Sequence, residues 1–160
     1  MAGRLMRIAW VGVLVASALM GGAGAGSAEV VPGQVVFENA GSDERCLDVA
    51  SYATGTSATL YGCYGGVSQT WVREENGSIS NLGSGRTMCL DVSSYADYTP
   101  VVLYPCYNTA SQQWTVTTGN KVRNVGGGGG ICLDVQFYTD YTPALIFPCQ
   151  VTQSQVWPPW

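Results

Sequence analysis

The 160-residue sequence contains no histidine, and only 11% of its residues are charged. The first absence removes the commonest general base and the commonest metal ligand. Basic residues are scarce beyond the N-terminus: Arg45, Arg73, Arg86, Lys121 and Arg123 stand against eleven acidic residues. The resulting net charge of −6 over residues 29–160 repels a phosphate backbone, and no basic cluster interrupts it. Nucleic acid is not an expected partner.

Long apolar runs are missing too, save one at the start. Arg4 and Arg7 precede an apolar run from Ile8 to Met20, and a small-residue stretch then ends in Gly26-Ser27-Ala28. Basic, apolar, small is the order of a secretory signal peptide, so residues 1–28 are expected to be removed after Ala28. The run falls short of the ~20 residues that span a bilayer. No later segment is long and apolar enough either. The expectation is a secreted, extracellular chain with no membrane span, working as one domain over residues 29–160.

Cysteine, by contrast, is plentiful. All six residues, Cys46, Cys63, Cys89, Cys106, Cys132 and Cys149, follow the signal segment. In an exported chain an even count favours disulfides over metal or redox thiols. Neither a metal nor a cofactor is expected.

The dominant pattern is an internal period of 43 residues. Cys46-Leu47-Asp48-Val49 recurs as Cys89-Leu90-Asp91-Val92 and Cys132-Leu133-Asp134-Val135. Cys63, Cys106 and Cys149 keep the same step, as do Tyr52, Tyr95 and Tyr138. Gln69, Gln112 and Gln155 follow suit, each two residues before Trp71, Trp114 or Trp157. Such a period marks one supersecondary unit that cannot bury its apolar face alone. The units run over about 34–75, 76–118 and 119–160.

Within a unit the pattern is β. Runs such as Ala58-Thr59-Leu60-Tyr61, Val101-Val102-Leu103-Tyr104 and Ala144-Leu145-Ile146-Phe147 are short, β-branched or aromatic, and end at Gly62, Pro105 or Pro148. Gly126 to Gly130 is read as a loop, because it does not follow a strand and open a helix. Six cysteines allow 15 pairings. The repeat selects Cys46–Cys63, Cys89–Cys106 and Cys132–Cys149, each closing a loop of about 17 residues worth ~3 kcal/mol on the chain-entropy model.

If each bridge joins residues directly opposite in a hairpin, Asp48 faces Tyr61, Asp91 faces Tyr104 and Asp134 faces Phe147. Alternation then puts Leu47 and Val49 inward, and the acid and ring together on the outer face. A carboxylate accepts charge-assisted hydrogen bonds from sugar hydroxyls, and a ring covers the C–H face of a pyranose. The competing reading has the acid capping a turn and the ring merely packing. The three Trp residues are expected in the core.

Cys-Leu-Asp-Val, a strand ending Leu-Tyr-x-Cys, and Gln-x-Trp, three times over, closely resemble the ricin-type β-trefoil lectin family. The resemblance covers about residues 34–157. It implies an all-β trefoil of three ~43-residue repeats, twelve strands in all, with one disulfide per repeat and up to three shallow sugar sites. By motif position it assigns Asp48, Asp91 and Asp134 to sugar hydroxyls. Tyr61, Tyr104 and Phe147 would stack on the sugar ring, and Gln69, Gln112 and Gln155 would orient the acids. Tyr64 and Tyr107 lie on a flank where related modules touch sugar; Gln150 holds that place in the third unit. The implied ligands are glycans or polysaccharides of galactose or xylose type.

Two departures bear on binding. Related sites usually place Asn before the Gln, where this chain has Ser68, Ser111 and Ser154. A serine reaches less far and makes fewer hydrogen bonds. The polar residue often found two before the ring is Thr59, Val102 or Leu145. Phe147 also lacks the hydroxyl of Tyr61 and Tyr104. Tyr52, Tyr95, Tyr98, Tyr138 and Tyr141 crowd the loops, either widening the stacking surface or covering the hairpins. The rival to a lectin is a trefoil scaffold for protein contacts with degenerate sugar sites. An enzyme is not expected: a glycosidase needs two carboxyls about 5–10 Å apart, and the repeat supplies one per unit.

Overall fold

A computed structural model describes residues 32–160; the expected signal segment, residues 1–28, lies outside the described residues. Among the described residues there are eleven strands: β1 (Gln34–Val36), β2 (Arg45–Val49), β3 (Ala58–Gly62), β4 (Thr70–Arg73), β5 (Ile79–Asn81), β6 (Met88–Val92), β7 (Val101–Pro105), β8 (Trp114–Val116), β9 (Val122–Asn124), β10 (Ile131–Val135) and β11 (Ala144–Pro148). The twelfth position of a trefoil falls on the segment ending Trp157-Pro158-Pro159. It carries only the isolated bridge Phe37–Pro159, because its two prolines have no N–H for a ladder. Even so, Glu38 N–H donates to Pro158 O (3.0 Å) and Trp160 N–H to Val36 O (2.9 Å). The last unit thus closes on the first. Among the described residues no helix is long and apolar enough to cross a membrane.

Three hairpins, β2–β3, β6–β7 and β10–β11, are superimposable in register. They turn Leu47 and Val49, Leu90 and Val92, Leu133 and Val135 into one core with Leu60, Leu103 and Ile146. Trp71, Trp114 and Trp157 are buried in the same core, as expected. Each indole N–H donates 3.0 Å to a hairpin carbonyl, of Leu47, Leu90 and Leu133 respectively. The Trp therefore fixes the hairpin's height over the barrel as well as filling it.

The disulfides pair as the repeat selects, with Cα–Cα distances of 5.0, 5.1 and 5.0 Å. The register does not follow them. Cys46 faces Tyr61 and Asp48 faces Thr59; likewise Asp91 faces Val102 and Asp134 faces Leu145. The expected Asp–ring pairing is thus displaced by two residues. Each bridge is diagonal, from a strand residue to a cysteine just past the end of β3, β7 or β11. There the chain leaves the ladder, and Cys63 N–H makes a last bond to Glu44 O (2.8 Å). A slip of two preserves the face, so acid and ring remain diagonal neighbours on one side of the hairpin.

Between units, Asn39, Asn81 and Asn124 are fully buried. Their amides donate to Ser154 O (2.9 Å), Ser68 O (2.8 Å) and Ser111 O (2.8 Å), each in the preceding unit around the ring. A second tie joins units one and two. Arg86 binds Glu74 through both guanidinium ends, and Ser80 Oγ also donates to the Glu74 carboxylate. The hydrogen bond from Arg86 is the largest cause holding the Glu74 carboxyl below its usual value; partial burial opposes it and Ser80 assists. A depressed carboxyl stabilises the fold above its unfolded pKa, and that contribution disappears as pH falls through the folded value. Arg86→Ala is expected to lower stability only slightly near neutrality, because the pair is solvent-screened. The gap between its urea midpoint and the parent's should then close as pH falls through the folded value of Glu74.

Candidate functional site

The side chains singled out in each unit converge on the outer face of its hairpin. In the first, Gln69 is fully buried behind Asp48. Its Nε2 donates to Asp48 Oδ2 (3.1 Å) and Gly62 O (2.9 Å), while its Oε1 accepts from the N–H groups of Tyr64 (2.9 Å) and Gly65 (3.3 Å). Val49 N–H donates to Asp48 Oδ1 (2.6 Å). Each carboxylate oxygen therefore holds one protein bond and keeps lone-pair capacity for another donor.

The same network recurs. Gln112 Nε2 donates to Asp91 Oδ2 (2.9 Å) and Pro105 O (2.8 Å), and Gln155 Nε2 to Asp134 Oδ2 (2.8 Å) and Pro148 O (3.0 Å). Val92 and Val135 N–H groups donate to Asp91 and Asp134 Oδ1, both at 2.7 Å. Gln-x-Trp thus performs two tasks two residues apart: the Trp seats the hairpin, and the Gln aims the acid.

The acids are less open than a free outer face would leave them. Asp48 is 7% exposed, and Asp91 and Asp134 are half-buried. The covering groups in the first unit are aromatic. Asp48, Tyr52, Tyr61, Tyr64, Ser68 and Tyr141 line a cavity of about 380 Å³. Tyr64 meets Tyr61 edge-on at 6.2 Å between ring centres, as Tyr107 meets Tyr104 at 6.0 Å. Tyr141 arrives from the third unit, 5.2 Å from Tyr61. The Tyr61 phenol is held above its usual pKa, first by a hydrogen bond with Tyr141, then by the charge of that phenol, burial, Asp140 and Asp48. It stays a neutral hydroxyl through the physiological range.

The serines that stand where the resembled family has Asn each bond to a near neighbour in the chain, at the surface. Ser68 Oγ pairs with the Tyr64 hydroxyl (2.7 Å), Ser111 with Thr109 (2.9 Å) and Ser154 with Thr152 (3.0 Å). Thr59, opposite Asp48, makes the first site more polar than the second and third, which have Val102 and Leu145 there. Tyr52 and Tyr95 run over Gly83 and Gly126 of the following unit, and Tyr138 over Gly41. A Cβ at any of these glycines would collide with the ring, so the loop tyrosines and those glycines require each other. A larger cleft, about 950 Å³, lies among Arg73, Glu74, Asn76, Ser80 and Arg86. Its size does not make it the site: its Arg86–Glu74 charges neutralise each other, and it holds none of the three acid–ring sets.

For two residues of this face, Tyr98 and Tyr141, the sequence left open whether they widen the stacking surface or cover the hairpins, and did not show which ring each would meet. Their signal was a break in the period, since the equivalent position in the first unit is Gly55.

Among curated proteins, none matches the sequence. Solved structures agree in fold. The designed three-fold symmetric protein ThreeFoil superimposes with a TM-score of 0.69 at 24% identity, over 79% of this chain and 97% of its own. The C-half of the earthworm R-type lectin, solved in complex with GalNAc, gives 0.68 at 17%, over 80% and 98%. An agglutinin from Abrus precatorius gives 0.70 at 20%, over 79% of this chain. The chain spans less than half of that agglutinin's length, 47%. The model of the ricin-type β-trefoil lectin domain matches residues 31–97 and again 85–158. With three bridged repeats, buried Gln-x-Trp pairs and this fold, the chain belongs to the ricin-type β-trefoil lectin domain family.

Proposed function

We propose that the protein is a secreted carbohydrate-binding module with up to three shallow sites, selective for galactose- or xylose-type glycans, and without catalytic activity. One observation carries the reading: in every unit a buried glutamine aims a carboxylate, with bonding capacity to spare, beside an aromatic ring. Asp48, Asp91 and Asp134 would accept sugar hydroxyls, and Tyr61, Tyr104 and Phe147 would cover the sugar's C–H face, with Tyr64 and Tyr107 flanking. Three disulfides suit an oxidising compartment. The GalNAc carried by the earthworm lectin's structure supports a galactose-type ligand. A shallow site yielding ~4–5 kcal/mol binds near 1 mM to 0.2 mM, and simultaneous use of several sites raises avidity a hundredfold or more.

The engagement of Ser68, Ser111 and Ser154 with near neighbours in the chain favours a second reading, a scaffold for protein contacts. A glycan array with the parent beside Asp48→Ala/Asp91→Ala separates the two. The double variant should stay folded and lose most of the signal. Equal signals would dismiss these sites, and a blank array, with no retention on galactose, xylan or β-glucan resin, would favour the scaffold.

A further inference from the structure

Every hairpin loop crosses into the next unit around the ring. Gly55 N–H donates to Leu103 O (2.8 Å), Tyr98 N–H to Ile146 O (2.9 Å) and Tyr141 N–H to Leu60 O (2.7 Å). The three donors occupy one repeat position, and all are left-handed, at φ 84°, 64° and 65°. Glycine enters that region freely; a bulky side chain there is an outlier that the surroundings must hold in place. What holds the tyrosines is the neighbouring site. Tyr141 lies against Tyr61, 5.2 Å between ring centres and tilted 52°, and Tyr98 lies against Phe147 at 4.7 Å and 43°. Gly55 offers no ring to Tyr104, which stays 41% exposed.

At the first site the loop is also pinned. Arg45 Nε donates to Asp140 Oδ1 (3.1 Å), tying the residue before Tyr141 to β2, the strand that carries Asp48. Met88 and Ile131 stand at the Arg45 position elsewhere, so only the first site can make this ion pair. Tyr61 and Tyr141 line the same cavity, and Tyr141 remains 67% exposed despite its contact. Two touching rings beside an acid offer a ligand a second aromatic contact.

We propose that Tyr141 and Tyr98 extend the first and third sites into two-ring walls that engage two consecutive sugar residues, whereas the second site, with Gly55, is a single-ring platform for one. This rests on the carbohydrate reading above and adds chain-length selectivity to it. The sugar held by the acid lies on Tyr61 or Phe147, and its neighbour lies on the tyrosine donated by the adjacent unit. In the third site Tyr98 also supplies the phenol that Phe147 lacks.

The test is a titration with galactose, β-(1→4)-galactobiose, xylose and β-(1→4)-xylobiose, followed by nitrogen-resolved NMR so that each site reports separately. The first and third sites should prefer the disaccharide of the recognised sugar about tenfold, and the second should prefer it less than about twofold. Tyr141→Gly and Tyr98→Gly relieve backbone strain and should keep the fold while reducing their sites to the behaviour of the second. Gly55→Tyr should confer the preference on the second site. Equal preference at all three parent sites, or an undiminished preference in Tyr141→Gly, overturns the inference and leaves the carbohydrate reading standing. So does tighter monosaccharide binding in Tyr141→Gly, which would make the ring a cover. No response to any of the four sugars overturns the inference, and a blank array beside it removes the carbohydrate reading as well.

Discussion

Gln69→Ala is expected to lower the unfolding free energy by about 3–5 kcal/mol and to silence the first site. The side chain is fully buried and serves four partners: Asp48, the Gly62 carbonyl, and the N–H groups of Tyr64 and Gly65. Truncation leaves all four without it, one of them a carboxylate that is itself buried. An orphaned buried group costs about 1–3 kcal/mol, and a charged one more. Water entering the gap recovers part of the sum, which is why the estimate sits well below four full penalties. Urea midpoints measure the stability, and the same NMR titration reads the site. A loss under ~1 kcal/mol would mean that the hairpin is held by the Trp71 bond and the core alone.

Reduction of the three disulfides is expected to unfold the protein at room temperature. Each bridge spans 17 residues, for which restriction of the unfolded chain is worth about 3 kcal/mol, or about 9 kcal/mol for three. A domain of this size holds only about 5–15 kcal/mol in total. One bridge removed, as Cys46→Ser/Cys63→Ser, should leave a folded but weakened protein. All three opened should abolish the near-ultraviolet circular dichroism of the buried tryptophans. Retention of that signal in excess reductant would show that the repeated core suffices.

Much of this was legible because the period was. Leu47, Val49 and Trp71 and their equivalents had to face inward for three copies to share a core, and the bridges had to lie within units. The hairpin register was not legible from the cysteines. A disulfide constrains Cα atoms to within a few ångströms, and both a directly opposite and a diagonal pair satisfy it once the strand has ended. The diagonal form prevailed because Cys63, Cys106 and Cys149 lie past Gly62, Pro105 and Pro148, where the ladder stops. The face survived since the slip was even; an odd slip would have buried the acids in the core. Which ring Tyr98 and Tyr141 each meet was hidden for another reason. Their partners lie in a neighbouring unit, and no pattern within one repeat reveals which loop will cross to which ring.

That crossing sets an order of assembly. The first hairpin emerges early, yet its aromatic wall depends on Tyr141, encoded 80 residues after Tyr61. A fragment that stops after two units holds every residue of the second acid–ring set, and Gly55, which crosses to β7. It cannot complete the first. The first acid–ring set to be synthesised is thus the last to be completed.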